Sequence, residues 1–287
     1  MSDSAGATLD PSTLGVSIEL IHLPIQVSLD HLKEIYMEVS GICGYENFTR
    51  VGDGARLETA ASPEEGASRV TFSRDRITFQ EEGATVGSDL LTRKIHEVVR
   101  SLAKRVQVPV IVARTRNHRT LISVPGEATA SDWLSLSVIN VEQEAYNPLG
   151  RPVRASGIRL QMPAQKNDEA MHLLRIEEWL KNPRLLFVED TATWRAPMPL
   201  DQISRLAGDF KEAEELMVVN IPTWLASLEG ASALCPSPSL SLLRAGSFGF
   251  QGRLDADGRS PTDSGSNSGT SIRDSIFSLN PLRSSSS

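Results

Sequence analysis

The chain has 287 residues, 40% hydrophobic and 23% charged, with a formal net charge of −7. That is room for one large or two small domains with a real core, and it argues against nucleic-acid binding by overall charge. Two cysteines, Cys43 and Cys235, give no C-x-x-C pair. A zinc ribbon, a redox dithiol and a disulfide framework are therefore not expected, and the low usage fits a reducing, cytoplasmic compartment. No apolar run reaches the ~20 residues of a membrane span.

Residues 1–15 are polar, with Asp3 and Asp10, and read as a disordered leader. Val16 to Leu23 is a β-type run stopped by Pro24. Ser28 has the place of an N-cap, with Leu29, Leu32, Ile35, Tyr36 and Val39 at helical spacing up to Ser40-Gly41. Arg56 to Glu58 is short and strand-like. Arg69 to Gln80 alternates around Ser73-Arg74-Asp75-Arg76, as one bulged strand or a tight hairpin.

Ser88 to Val106 carries the clearest helical stripe: Leu91, Ile95, Val98, Leu102 and Val106. Ser88 is its expected cap. Val108 to Val124 reads as a hairpin turning at Asn117-His118, with Arg114, Arg116 and Arg119 on one face. The order strand, helix, strand, strand, helix, strand is that of a ferredoxin-like (split βαβ) module.

Asp132 to Val141 has no decisive period. The turn-rich stretch from Asn147 to Pro152 is the expected boundary between an α+β module over 16–146 and a second α+β module over 147–230. In the second, Val153–Met162 reads as a strand, Asn167–Leu180 as a helix, Arg184–Trp194 as a strand, and Asp201–Met217 as a helix capped by Asp201. Leu23-Pro24-Ile25-Gln26 and Met162-Pro163-Ala164-Gln165 are a faint internal echo, as two related halves would leave.

From Ala231 the chain is Ser-rich, with sixteen Ser and no Lys over 231–287, and reads as a disordered tail. One island at 271–282 stands out. Ile272, Ile276 and Leu279 lie at helical spacing beside Phe277, as in a linear motif that docks in a partner's groove.

Motifs for chemistry are few. The five histidines show no metal-ligand spacing, and there is no nucleophile elbow or phosphate loop. His118 is expected in an exposed turn, and Cys43 in a Gly-Ile-Cys-Gly turn. Glu177-Glu178 and Glu189-Asp190 read as solvated pairs. No cofactor, metal or catalytic residue is expected.

Charge is the one signal above background. Residues 69–119 hold eleven Lys/Arg against five Asp/Glu, while residues 1–68 hold three against eleven. Arg93, Arg100 and Lys104 on the helix, with Arg114, Arg116 and Arg119 on the hairpin, form the expected anion- or partner-binding surface. The acidic C-terminal helix, with Asp209, Glu212, Glu214 and Glu215, is its complement within one chain or across an assembly. The expected function is a non-enzymatic cytoplasmic adaptor engaging protein partners, or forming a homo-oligomer, through this surface and the tail motif. Nucleic-acid binding or processing is the alternative, and an enzyme with a site scattered along the chain is the second. Membrane association is not expected.

Overall fold

The computed structural model describes residues 9–60, 66–83, 87–107, 110–126, 128–141, 143–151, 153, 157–166 and 169–232. The tail motif residues Ile272, Ile276, Phe277 and Leu279, Cys235, and residues 1–8 of the expected leader lie outside them. So does most of the tail, since residues 231 and 232 close the last helix.

The fold is mixed α+β, built on one large antiparallel sheet. Its strands are β1 (Pro11–His22), β2 (Asn47–Val51), β3 (Gly54–Glu58), β4 (Ala67–Phe72), β5 (Arg76–Glu82), β6 (Val110–Ser123), β7 (Gly157–Met162), β8 (Met171–Glu178), β9 (Leu185–Trp194) and the two-residue β10 (Met198–Pro199). Across the sheet the order is β2-β3-β4-β5-β1-β6-β9-β8-β7, with β10 beside β6. The helices are α1 (Leu29–Cys43), α2 (Ser88–Ala103), α3 (Ala130–Leu134), α4 (Leu206–Glu215) and α5 (Ile221–Ser232).

The strand alternation decides which face is covered. In β1, Val16, Ile18, Leu20 and His22 are buried while Ser17, Glu19 and Ile21 are half-buried. β5 repeats this with Ile77, Phe79 and Glu81, and β9 with Leu186, Val188, Asp190, Ala192 and Trp194. Among the described residues the five α-helices pack on this one face. α1, α2 and α4 close a first apolar cluster over Ile18, Leu20, Leu57, Val70, Phe79 and Trp194. α3 and α5 close a second over Ile122, Leu174, Ile176, Leu186 and Val188. Each such fully buried aliphatic side chain contributes about 1.5–3 kcal/mol. An antiparallel sheet tolerates having its other face uncovered when that face is polar.

Local chemistry sets the helix ends. Ser28 Oγ accepts from the His31 N–H at 3.1 Å, the expected N-cap of α1. The helix runs past Ser40-Gly41 to Cys43 and stops at Gly44, whose φ of 76° suits glycine and whose N–H donates to the Ser40 carbonyl at 2.8 Å. Cys43 is thus a buried helix residue rather than a turn residue. Ser88 begins α2 but does not cap it; Gly87 holds that place, and Ser88 Oγ donates instead to Glu214 of α4.

Several expectations are corrected. Residues 11–15 belong to β1, so the leader is shorter than expected. Residues 67–82 are two strands, β4 and β5, so the hairpin alternative holds there. The hairpin expected over 108–124 is replaced by β6, one fourteen-residue strand over Val110–Ser123 between β1 and β9, and Asn117 and His118 sit in mid-strand. Asn117 is held there by its side-chain amide, which donates to Thr191 Oγ1 at 3.1 Å.

Where a helix over 167–180 was expected, Met171–Glu178 form strand β8. His172, Leu174 and Ile176 are buried against the second cluster while Leu173, Arg175 and Glu177 point away, a period of two. A 3-10 turn over Leu200–Arg205 precedes α4, so Asp201 caps no α-helix. The undecided stretch after Asp132 is α3 running into a π-turn over Ser135–Ile139. Among the described residues no helix is long and apolar enough to cross a membrane.

Candidate functional site

The six expected binding cations are not brought together. Arg93 and Arg100 on α2 and Lys104 just past its end reach solvent. Arg100 pairs with Glu97 one turn earlier, and Lys104 pairs with Glu38 of α1. Arg105 joins the same group, its Nε 3.0 Å from Glu34 and its Nη1 2.8 Å from Glu38. These hydrogen bonds from Lys104 and Arg105 hold the Glu38 carboxyl down to about 2. Much of the basic helix face is therefore neutralised by its neighbour.

Arg114 and Arg116 lie inside, against expectation. Both project from β6 onto the covered face, 4% and 2% exposed. Arg114 Nη2 donates to Asp209 Oδ2 at 2.8 Å, and its guanidinium lies 5.6 Å from the Trp194 ring centre. The acidic C-terminal helix does meet the basic block within the chain, at this buried contact. Burial pushes the Asp209 carboxyl up against the pull of Arg114.

Arg116 begins a polar belt between the two apolar clusters. Its Nη2 donates to His118 Nδ1 at 3.1 Å. An arginine can only donate, so His118 Nδ1 is the acceptor and Nε2 carries the proton, which faces Thr13 Oγ1 at 3.3 Å. Burial, then Arg116, pushes the His118 imidazole down to about 3. Burial likewise lowers Arg116 to about 10, opposed by Glu214 and Asp190. Across from His118, Asp190 Oδ2 accepts from His172 Nδ1 at 3.0 Å. His118 is thus a buried, neutral residue rather than a turn tip, and Asp190, 1% exposed, is no solvated edge. Among the described residues, Arg116 Nε and Nη1, Thr120 Oγ1 and Asp190 Oδ1 find no hydrogen-bond partner.

A second polar group missed in the sequence lies under α2. Lys94 Nζ donates to Ser68 Oγ at 2.7 Å and to the two oxygens of Glu81 at 3.0 and 3.2 Å, while Ser68 Oγ donates to Glu81 Oε1 at 2.7 Å. The three residues line a cleft of about 350 Å³ with Gly44, Thr59 and Leu90. All three Lys94 protons and the Ser68 proton are engaged, so the group is self-satisfied and neutral as a unit, with no base left free. Burial pushes the neighbouring Cys43 thiol up to about 11. Among the described residues no group of three His, Cys, Asp or Glu could hold a metal ion.

Arg119 differs from the others. It projects from the same strand as Arg114 and Arg116 but onto the uncovered face, half-buried. Its cross-strand neighbours are Gly15 on β1 and Glu189 on β9. A methyl at Gly15 would stand 3.2 Å from Arg119 Nη2 and 2.7 Å from the Glu81 carbonyl oxygen, so glycine there lets the guanidinium lie over β1. Among the described residues Arg119 Nε has no hydrogen-bond partner.

Around Arg119 the uncovered face is polar and regular. One row across it reads Arg159, Arg175, Glu189, Arg119, Gly15, Glu82; the next reads Gln161, Leu173, Thr191, Asn117, Ser17, Gln80. Ion pairs tie the face together. Arg69 lies 3.7 Å from Glu82, Arg76 3.6 Å from Glu19, and Arg175 3.9 Å from Glu189 while its Nε donates to Glu177 at 2.9 Å. At one end Phe187 stacks on Trp179 at 5.3 Å, under Arg175. Nothing local in the sequence signals which distant strands align these charges.

The sequence matches no protein-family model, no curated protein and no solved structure, so the site is read from its residues alone.

Proposed function

We propose that this is a non-enzymatic binding and assembly protein that engages a protein partner through the uncovered face of its sheet. The observation that carries the reading is the asymmetry of the sheet. Among the described residues every α-helix lies on one side, and the other presents aligned rows of arginine, glutamate, threonine and amide side chains, with Arg119 and its Gly15 neighbour at the centre. Mixed charge in fixed register gives orientation and selectivity to a protein contact.

A polyanion is the poorer occupant. Glu19, Glu82, Glu177 and Glu189 are interleaved with the arginines, and Arg114 and Arg116 face the interior. An enzyme is also poorly supported, since Ser68, Glu81 and Lys94 consume one another's hydrogen-bonding capacity.

The same reading treats residues 16–146 as a ferredoxin-like module. Its support is the sub-order β4-β5-β1-β6, with α1 between β1 and β2 and α2 between β5 and β6, extended at one edge by β2 and β3. Residues 147–230 are then a second module that adds strands to the same sheet. The free, buried Cys43 suits a cytoplasmic setting.

The test is a pull-down with full-length protein in three forms: unaltered, with Arg119→Glu and Arg175→Glu together, and with Arg93→Glu and Arg100→Glu together. The expected result is that partner recovery, whether of a differently tagged copy or of another protein, is lost only with the sheet-face pair. Loss with only the α2 pair, or equal recovery from all three, would overturn the proposal.

A further inference from the structure

Resting on that reading, we infer that the partner on the uncovered face is a second copy of this chain, related by a two-fold axis running between β6 and β9. A closed dimer needs a patch complementary to itself under its own symmetry operation. Consider an axis lying in the plane of the face, parallel to the strands and midway between β6 and β9. It sets β6 over β9 of the second copy, β1 over β8 and β5 over β7.

Register then fixes the contacts. In the row through Arg119, Arg119 meets Glu189 of the second copy, Glu82 meets Arg159, and Arg175, with its own Glu177 and Glu189 partners, comes over Gly15, where the Arg119 guanidinium lies. Each contact occurs twice. In the next row Asn117 meets Thr191, Ser17 meets Leu173 and Gln80 meets Gln161. Toward one end Leu121 meets Phe187, an apolar pair; toward the other, Thr115 meets Thr193. Only the approach of Arg175 to Arg119 over Gly15 sets like charges near each other, and Glu189 stands beside both arginines.

Two further observations favour a second copy over an unrelated chain. The whole chain carries −7, so copies repel in most orientations. In this patch Arg119, Arg159 and Arg175 balance Glu82, Glu177 and Glu189, and the repulsion is locally absent. The area is adequate: six strands at about 4.8 Å and seven residues at about 3.3 Å span about 650 Å², near the ~800 Å² per partner of a standard interface. The natural twist of each sheet sets the two strand directions about 30° apart, so the central contacts, at Arg119 and Glu189, are the ones most closely maintained.

The experiment is a charge swap read by sedimentation velocity or light scattering of the full-length protein over the micromolar range. Unaltered protein is expected to be a dimer. Arg119→Glu and Glu189→Arg, each alone, place like charges together at both symmetric contacts and should weaken the dimer by about a hundredfold or more. Combining them restores the pairing across the axis, and the dimer should return. Arg119→Gln, a milder change, should give an intermediate loss, and thermal melts establish that each variant is folded. A monomer at all concentrations, or a dimer indifferent to either single reversal, would overturn the inference. So would a double variant no better than the singles. If the protein is monomeric but still loses another protein in the pull-down when Arg119 and Arg175 are reversed, the second copy is refuted and the binding face stands.

Discussion

Acid should destabilise the fold through His118 from about pH 6.5 downward. In the folded chain the imidazole is 1% exposed, accepts from Arg116, and is held down to about 3, against 6.5 for an ordinary histidine. Below pH 6.5 the unfolded chain takes up a proton that the folded chain does not. The stability this group contributes is therefore fully present above pH 6.5 and is lost as pH falls toward 3. Between about pH 6.5 and pH 5 the loss is about 1.5 pH units at about 1.4 kcal/mol each, or about 2 kcal/mol. His118→Gln keeps a neutral polar side chain but cannot take up the proton. Denaturant unfolding at about pH 7.5 and about pH 5, at constant ionic strength, should show the unaltered protein losing about 2 kcal/mol more than the variant. Glu38, held down to about 2, adds its own loss only below about pH 4.5 and leaves this window clear. Equal losses in the two proteins would refute the burial and charge argument at His118.

Lys94→Met should cost about 3–5 kcal/mol, because Glu81 is left buried and unpaired; adding Glu81→Leu should recover most of that, and denaturant midpoints for the singles and the double decide it. The surface group of Glu34, Glu38, Lys104 and Arg105 should matter far less: Arg105→Ala is expected to cost under about 1 kcal/mol, a loss that shrinks with added salt. Cys43, buried and with its thiol pushed up to about 11, should resist a thiol reagent at neutral pH in a Cys235→Ser background and react at the rate of unfolding; rapid native-state labelling would contradict its placement.

Elements held by local rules were legible in the sequence. α1 announces itself by Ser28 and its apolar spacing, α2 by its Leu91-to-Leu102 stripe, and β1 and β9 by alternation and β-branched residues. β8 was not, because Met171, Leu174 and Leu180 mimic a helical stripe in a segment of good helix formers; pairing with β7 and β9 overrides that propensity. β6 was misread for two reasons: Asn117 is a common turn residue, and arginines are seldom buried. In mid-sheet, with Asp209 and His118 as neighbours, Arg114 and Arg116 go inside, and an expected cluster of six cations comes apart. The uncovered face could not be foreseen at all. It exists only once strands more than a hundred residues apart pair, as Gly15 does with Arg119.

Side-chain oxidation footprinting of the full-length protein, free and with its partner bound, tests the central claim most directly. Met171, Leu173 and Leu121 project from the uncovered face, while Met37, 77% exposed, and Leu90 lie on the helical side. A contact through the sheet predicts that Met171, Leu173 and Leu121 become protected in the complex and that Met37 and Leu90 do not. Protection confined to Met37 and Leu90, with the sheet face as reactive as before, would contradict it.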